Sequence, residues 1–245
     1  SAASDVYKRQ VVTGRGKKLM LWHVLAWIVS GLWGFAVGAV TTKILRQRRI
    51  ELPDLFYLPF SLCLTLVTVF LNVAQWLILN YFSHGSCFAH FLVTLPVYLG
   101  TAPFCALFLT DARFRLLPNR LLGLGAAMLL PVLSIVALIM HSPVALARIW
   151  VLGLAMGLVL ALATHFGLGM GDVKLAALLS AWLGLYGWFA PLVMLLLAAF
   201  LGGVFALILI ITKKLDFDQD IAFGPWLITG AFITWVVYLS SILVG

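Results

Sequence analysis

Two aspartates, Asp111 and Asp172, are the residues of this sequence best placed for chemistry, because each stands alone against long apolar runs. The chain carries only eight acidic residues. Asp5 precedes Met20, Glu51 and Asp54 share one polar connection, and Asp216, Asp218 and Asp220 crowd another. A carboxylate at the edge of hydrocarbon is costly to desolvate, so one placed there is expected to be functional. Two such groups brought together supply what peptide hydrolysis needs: an ionised carboxylate to take a proton from water and a protonated one to polarise the scissile carbonyl. Proximity of like charges arranges this, since it raises one pKa while the partner stays ionised. The spacing also admits a plainer reading, in which Asp111 pairs with Arg113 or Arg115 and Asp172 merely caps a helix.

The approach to Asp172 reads Gly167-Leu-Gly169-Met-Gly171-Asp172-Val-Lys174-Leu175. Glycines there remove side chains where a substrate backbone would have to approach, and they permit backbone angles that other residues resist. Taken alone, the same run is also a flexible turn between helices.

The elements that position these residues follow from composition. Of 245 residues, 64% are hydrophobic and 10% charged, far from the roughly 25% charged expected of a soluble domain. Several runs exceed the roughly 18 apolar residues that cross a bilayer. The expected fold class is all-α, a polytopic transmembrane bundle with the lipid bilayer as its solvent. Candidate helices lie at roughly 20–42, 56–81, 89–110, 119–140, 144–166, 173–187, 189–212 and 221–243, the sixth a partial span. Residues 20–245 are read as one membrane domain. Residues 1–19, polar and basic, are read as a non-native or disordered leader.

The net charge of +8 does not indicate a nucleic-acid partner, because the basic residues cluster in short connections. Lys43, Arg46, Arg48 and Arg49, then Arg113, Arg115 and Arg120, then Lys213 and Lys214, fall on alternate loops, which the positive-inside rule places in the cytoplasm. Alternation puts the Gly167–Lys174 loop on the same side, so Asp111, closing the third helix, and Asp172, opening the sixth, are expected at one membrane face. Arg148 runs against the pattern.

No metal and no cofactor is indicated. Cys63, Cys87 and Cys105 form no CxxC pair, and tetrahedral zinc needs about four closely spaced ligands. His23, His84, His90 and His141 scatter over the outward helix ends. Only His165 lies near the glycine run. Trp22, Trp27, Trp188 and Trp226 read as an interfacial aromatic belt.

Three ordered blocks resemble the type IV prepilin peptidases: Asp111-Ala-Arg-Phe-Arg-Leu-Leu-Pro118-Asn119, Gly169-Met-Gly171-Asp172-Val-Lys174, and Ala222-Phe-Gly224-Pro225-Trp. The resemblance covers roughly residues 95–235. It implies a membrane aspartic endopeptidase of the bacterial cytoplasmic membrane that removes the short basic leader of a prepilin or pseudopilin, as in type IV pilus or type II secretion systems. It makes Asp111 and Asp172 the catalytic pair, with Gly169, Gly171, Lys174, Pro118, Asn119, Gly224 and Pro225 in support. Asn119 stands where many members have Asp. Long members carry a cytoplasmic insertion with paired CxxC motifs between the first two helices, where this chain has only Arg46 to Tyr57 and no cysteine. That departure puts amino-terminal methylation in doubt but not peptidase activity. A presenilin-like protease would need Tyr-Asp and Pro-Ala-Leu motifs that are missing. The rival from another class is a transporter or channel using the aspartates for cations or protons, which predicts carboxylates near mid-membrane.

Overall fold

The computed structural model describes residues 24, 27–47, 65–66, 68–69, 73, 87–212 and 222–244. The structure is helical, with no strand among the described residues. Helix α1 spans Trp27–Gln47. Helix α2 is described at residues 65, 66, 68, 69 and 73. There follow α3 (Cys87–Phe114), α4 (Asn119–Ile139), α5 (Pro143–Ala163), a 3-10 turn (Thr164–Phe166), α6 (Met170–Gly184), α7 (Ala190–Ile211) and α8 (Gly224–Val244). Five stretches are long and apolar enough to cross a bilayer: α1, Leu95–Phe114 of α3, α4, α5 and α7. The chain is a polytopic helical membrane protein. Residues 1–19, the connection at Arg48 to Tyr57 and the Asp216–Asp220 loop lie outside the described residues.

Helix α6 is too short to span, and the rest of the bundle encloses it. From Val173 to Gly184 every residue is buried except Lys174 and Ala177. Helix α5 approaches it closely through small residues. A Cβ on Gly153 would lie 2.9 Å from Ala181 Cβ, and one on Gly184 would lie 2.8 Å from the Arg148 carbonyl oxygen. Lipid tails are as apolar as leucine, so close backbone packing must supply much of the attraction between membrane helices. The opposite face of α5 exposes Leu154, Leu158 and Leu162, and α7 exposes Leu196, Phe200 and Ile211, as lipid contact requires.

Trp182 of α6 is fully buried and anchors the core, its ring 5.8 Å from Phe104 of α3, 5.4 Å from Phe232 and 6.2 Å from Trp235 of α8. Helix α8 docks on α7 by the same small-residue logic, a Cβ on Gly230 falling 2.8 Å from the Met194 carbonyl oxygen. Trp33 of α1 donates to the Leu99 carbonyl at 3.0 Å, which ties the first helix to α3.

Two helix boundaries differ from the sequence expectation in ways that matter for the aspartates. Helix α3 runs past Asp111 to Phe114. It ends only where Arg115 turns left-handed, φ 52°, a conformation that costs a non-glycine residue about 1–2 kcal/mol. Helix α6 begins at Met170 rather than 173, because the extended backbone of Gly169 (φ −66°, ψ 134°) caps it. Both aspartates therefore lie inside helices.

Candidate active site

The C-terminal end of α3 and the N-terminal ends of α4, α6 and α8 meet at one end of the bundle. Asp111, in the last turn of α3, is only 5% exposed. Its Oδ2 accepts a hydrogen bond from the Gly224 backbone N–H at 3.0 Å. The first N–H groups of any helix lack an intrahelical partner, and this one is satisfied by the carboxylate. A Cβ on Gly224 would sit 2.5 Å from that same oxygen, so only glycine lets the two groups meet without displacement. Pro225 follows in the first turn of α8, where a missing N–H breaks no helical bond.

Asp172 is the third residue of α6. Its N–H and that of Val173 donate to the Gly169 carbonyl at 3.0 and 3.2 Å. The capping residue is Gly169, and the aspartate side chain makes no cap hydrogen bond. Asp172 Oδ1 is buried without a hydrogen-bond partner. Burial, and after it the neighbouring charge of Asp111, push the Asp172 carboxyl up to about 6. Charge and burial thus outweigh the helix N-terminus, which by itself favours the ionised form. Arg113 and Arg115 are exposed, and among the described residues neither pairs with an aspartate.

The supporting residues fall around this pair. Lys174 Nζ donates to Asn119 Oδ1 at 3.0 Å on the exposed rim, joining α6 to α4. Pro118 caps α4, and its carbonyl accepts from the Leu121 and Leu122 N–H groups at 2.9 and 3.1 Å. At Gly167 the backbone is left-handed, φ 95°, with nothing within 4 Å of where a Cβ would be. The space beside the other two glycines is taken. At Gly169 a Cβ would meet Asp172 Oδ2 at 3.2 Å, and at Gly171 it would meet Leu117 Cβ at 2.9 Å. His165 is exposed in the 3-10 turn.

Two features were not evident from the sequence. Leu117 enters the site from the connection between α3 and α4, and Arg120 donates to Gln47 Oε1 of α1 at 2.6 Å. Ile44, Gln47, Pro118, Asn119 and Arg120 line a cleft of about 320 Å³ beside that bond. Both are contacts between residues distant in sequence, and no local pattern signals them. Among the described residues no group of three or more His, Cys, Asp or Glu could hold a metal ion.

Together these features define a polytopic helical membrane protein in which two carboxyls from different helices lie near enough at one end of the bundle for the charge of one to act on the other. Residues 98–207, a little under half of the chain, match the type IV leader peptidase family. It is similar to the prepilin leader peptidase/N-methyltransferase of Aeromonas salmonicida, 40% identical over 73 residues, which are 30% of this chain and 23% of that protein. It is also similar to the leader peptidase HopD of Salmonella typhimurium, 40% identical over 77 residues, 31% of this chain and 48% of that one. The prepilin leader peptidase/N-methyltransferase of Burkholderia pseudomallei is 38% identical over 68 residues, 28% of this chain and 21% of that one. The match thus spans less than half of each of these relatives. No solved structure matches significantly.

Proposed function

We propose that this protein is an aspartic endopeptidase that removes the basic leader from a type IV prepilin or pseudopilin at the cytoplasmic face of a bacterial inner membrane. The observation that carries the reading is the meeting of two carboxyls from α3 and α6, one of them raised to about 6 by burial and by the charge of the other. Such a pair titrates as a unit and holds one proton at and below about pH 6. In the proposed cycle Asp172 is the member that brings it to the substrate.

Cleavage then follows from the geometry. A water between the carboxyls gives a proton to ionised Asp111 as its oxygen attacks the scissile carbonyl. Asp172 donates its proton to the carbonyl oxygen, giving a neutral tetrahedral diol. Collapse of the diol breaks the C–N bond, the amine leaves with the proton from Asp111, and a diol hydroxyl returns a proton to Asp172. The Gly224 N–H holds Asp111 in place through this cycle. A site at the bundle end suits a substrate whose apolar helix lies in the bilayer while its leader stays in water. It does not suit ion conduction, which needs carboxylates along the path across the membrane. Methylation of the new amino terminus belongs to the names of two of the relatives and is not part of this proposal.

The test is coexpression with a prepilin, following leader removal by intact mass. Cleavage by the parent chain, and none by Asp111→Asn or Asp172→Asn variants that accumulate normally in the membrane, is the expected result. Intact prepilin with the parent chain, tried against prepilins of both pilus and secretion systems, would refute it.

A further inference from the structure

Leu117 touches both halves of the site without carrying any chemistry of its own. The Cβ that Gly171 lacks would lie 2.9 Å from Leu117 Cβ and 3.2 Å from its Cδ1, and the Cβ that Gly224 lacks would lie 3.5 Å from the same Cδ1. Gly171 immediately precedes Asp172, and the Gly224 N–H holds Asp111. One half-buried side chain therefore sits between the N-terminal ends of α6 and α8, against the two glycines that control the two carboxyls.

The connection that presents Leu117 is restrained at both ends. Upstream, Arg115 is left-handed at φ 52° and its N–H is bonded to the Asp111 carbonyl at 2.8 Å. Downstream, Pro118 confines the preceding residue to extended angles and is fixed as the cap of α4 by bonds from Leu121 and Leu122. A side chain on so short and constrained a segment cannot easily move aside. The two glycines are the complement of this wedge, since a methyl group on Gly171 would overlap it.

We infer that Leu117 is a positioning residue that sets the gap between Asp111 and Asp172, by spacing the α6 and α8 helix ends to which the two carboxyls are fixed. The inference rests on the peptidase reading. It predicts a reciprocal dependence between residues 117 and 171 that appears in turnover and not in substrate affinity.

The experiment uses the full chain in membrane vesicles with a purified prepilin as substrate, measuring kcat and KM. Gly171→Ala drives its methyl into Leu117 and should lower kcat about 100-fold, the order of loss expected from about 1 Å of misplacement, with KM within about threefold. Leu117→Gly removes the Cβ and Cδ1 that the new methyl strikes, so Gly171→Ala with Leu117→Gly should recover at least tenfold of the loss. Leu117→Gly alone should also be slow, and Leu117→Met, which restores most of the volume, should regain most of its activity. Gly171→Ala with near-parental kcat, or a double variant no faster than Gly171→Ala, would overturn the inference. An Asp111→Asn control separates the two levels. Cleavage surviving in that control would remove the peptidase reading itself, whereas loss of cleavage there with no coupling between 117 and 171 would remove only the role of Leu117.

Discussion

Replacing Gly224 with alanine should damage turnover while leaving the fold intact. The new Cβ would lie 2.5 Å from Asp111 Oδ2 and 3.2 Å from its Cγ, where ordinary contact begins near 3.4 Å, so the carboxylate must retreat by about 1 Å. The obstructed atom is the end of a side chain with two free torsions, not backbone, so the clash can be relieved by rotation at little structural cost. Rotation breaks the 3.0 Å bond from the Gly224 N–H and takes the carboxylate out of the position that this bond fixes. A displacement of that size is expected to slow catalysis about 100-fold, which corresponds to about 2.7 kcal/mol of barrier. The assay is prepilin cleavage under saturating substrate, run beside thermal unfolding in detergent. Gly123→Ala and Gly203→Ala serve as controls, because nothing lies within 4 Å of either new methyl. Cleavage by Gly224→Ala within threefold of the parent, with folding unchanged, would refute the claim that this glycine exists to seat Asp111.

Other outcomes follow from the same contacts. The Asp172 carboxyl is raised in the fold from 3.8 to about 6, so its proton is held more tightly folded than unfolded. The stability this contributes is complete below about pH 4 and is lost as the pH rises through about 6. Asp172→Asn should therefore be more stable than the parent at pH 8, and the gap should close near pH 4 in thermal unfolding scans. Gly184→Ala and Gly230→Ala each direct a methyl at backbone oxygen 2.8 Å away and should lose about 1–3 kcal/mol, read by the same scans. Lys174→Met breaks an exposed hydrogen bond to Asn119 and should leave cleavage within about tenfold of the parent, since such a bond contributes only about 1 kcal/mol.

The bundle itself was legible in the sequence because a lipid solvent leaves a strong signal: apolar runs of spanning length broken by charge. The burial of α6 was less so. Its length marks it as no span, but its enclosure depends on Gly153, Gly157 and Gly184 fitting against Arg148, Ala177 and Ala181, which is pairing between elements. The aspartates could be picked out by their isolation, yet not their positions within helices. Asp111 lies inside α3 because the chain turns left-handed at Arg115, a residue type with no preference for that conformation. Asp172 lies inside α6 because Gly169, not the aspartate, is the cap. The glycines near Asp172 suggested open space for a substrate. At Gly171 that space belongs to Leu117, a contact across 54 residues of sequence.

The central claim is that Asp111 and Asp172 form one catalytic unit, and the measurement that reaches it most directly is a cycle of Asp111→Asn, Asp172→Asn and the double variant. All four proteins would be reconstituted in vesicles, and prepilin cleavage rates followed by mass spectrometry. Asn preserves shape but cannot exchange a proton, so either single change should abolish turnover. Groups that act as a unit are not additive, and the double variant should be little slower than either single one. Near-parental cleavage by either single variant would contradict the account.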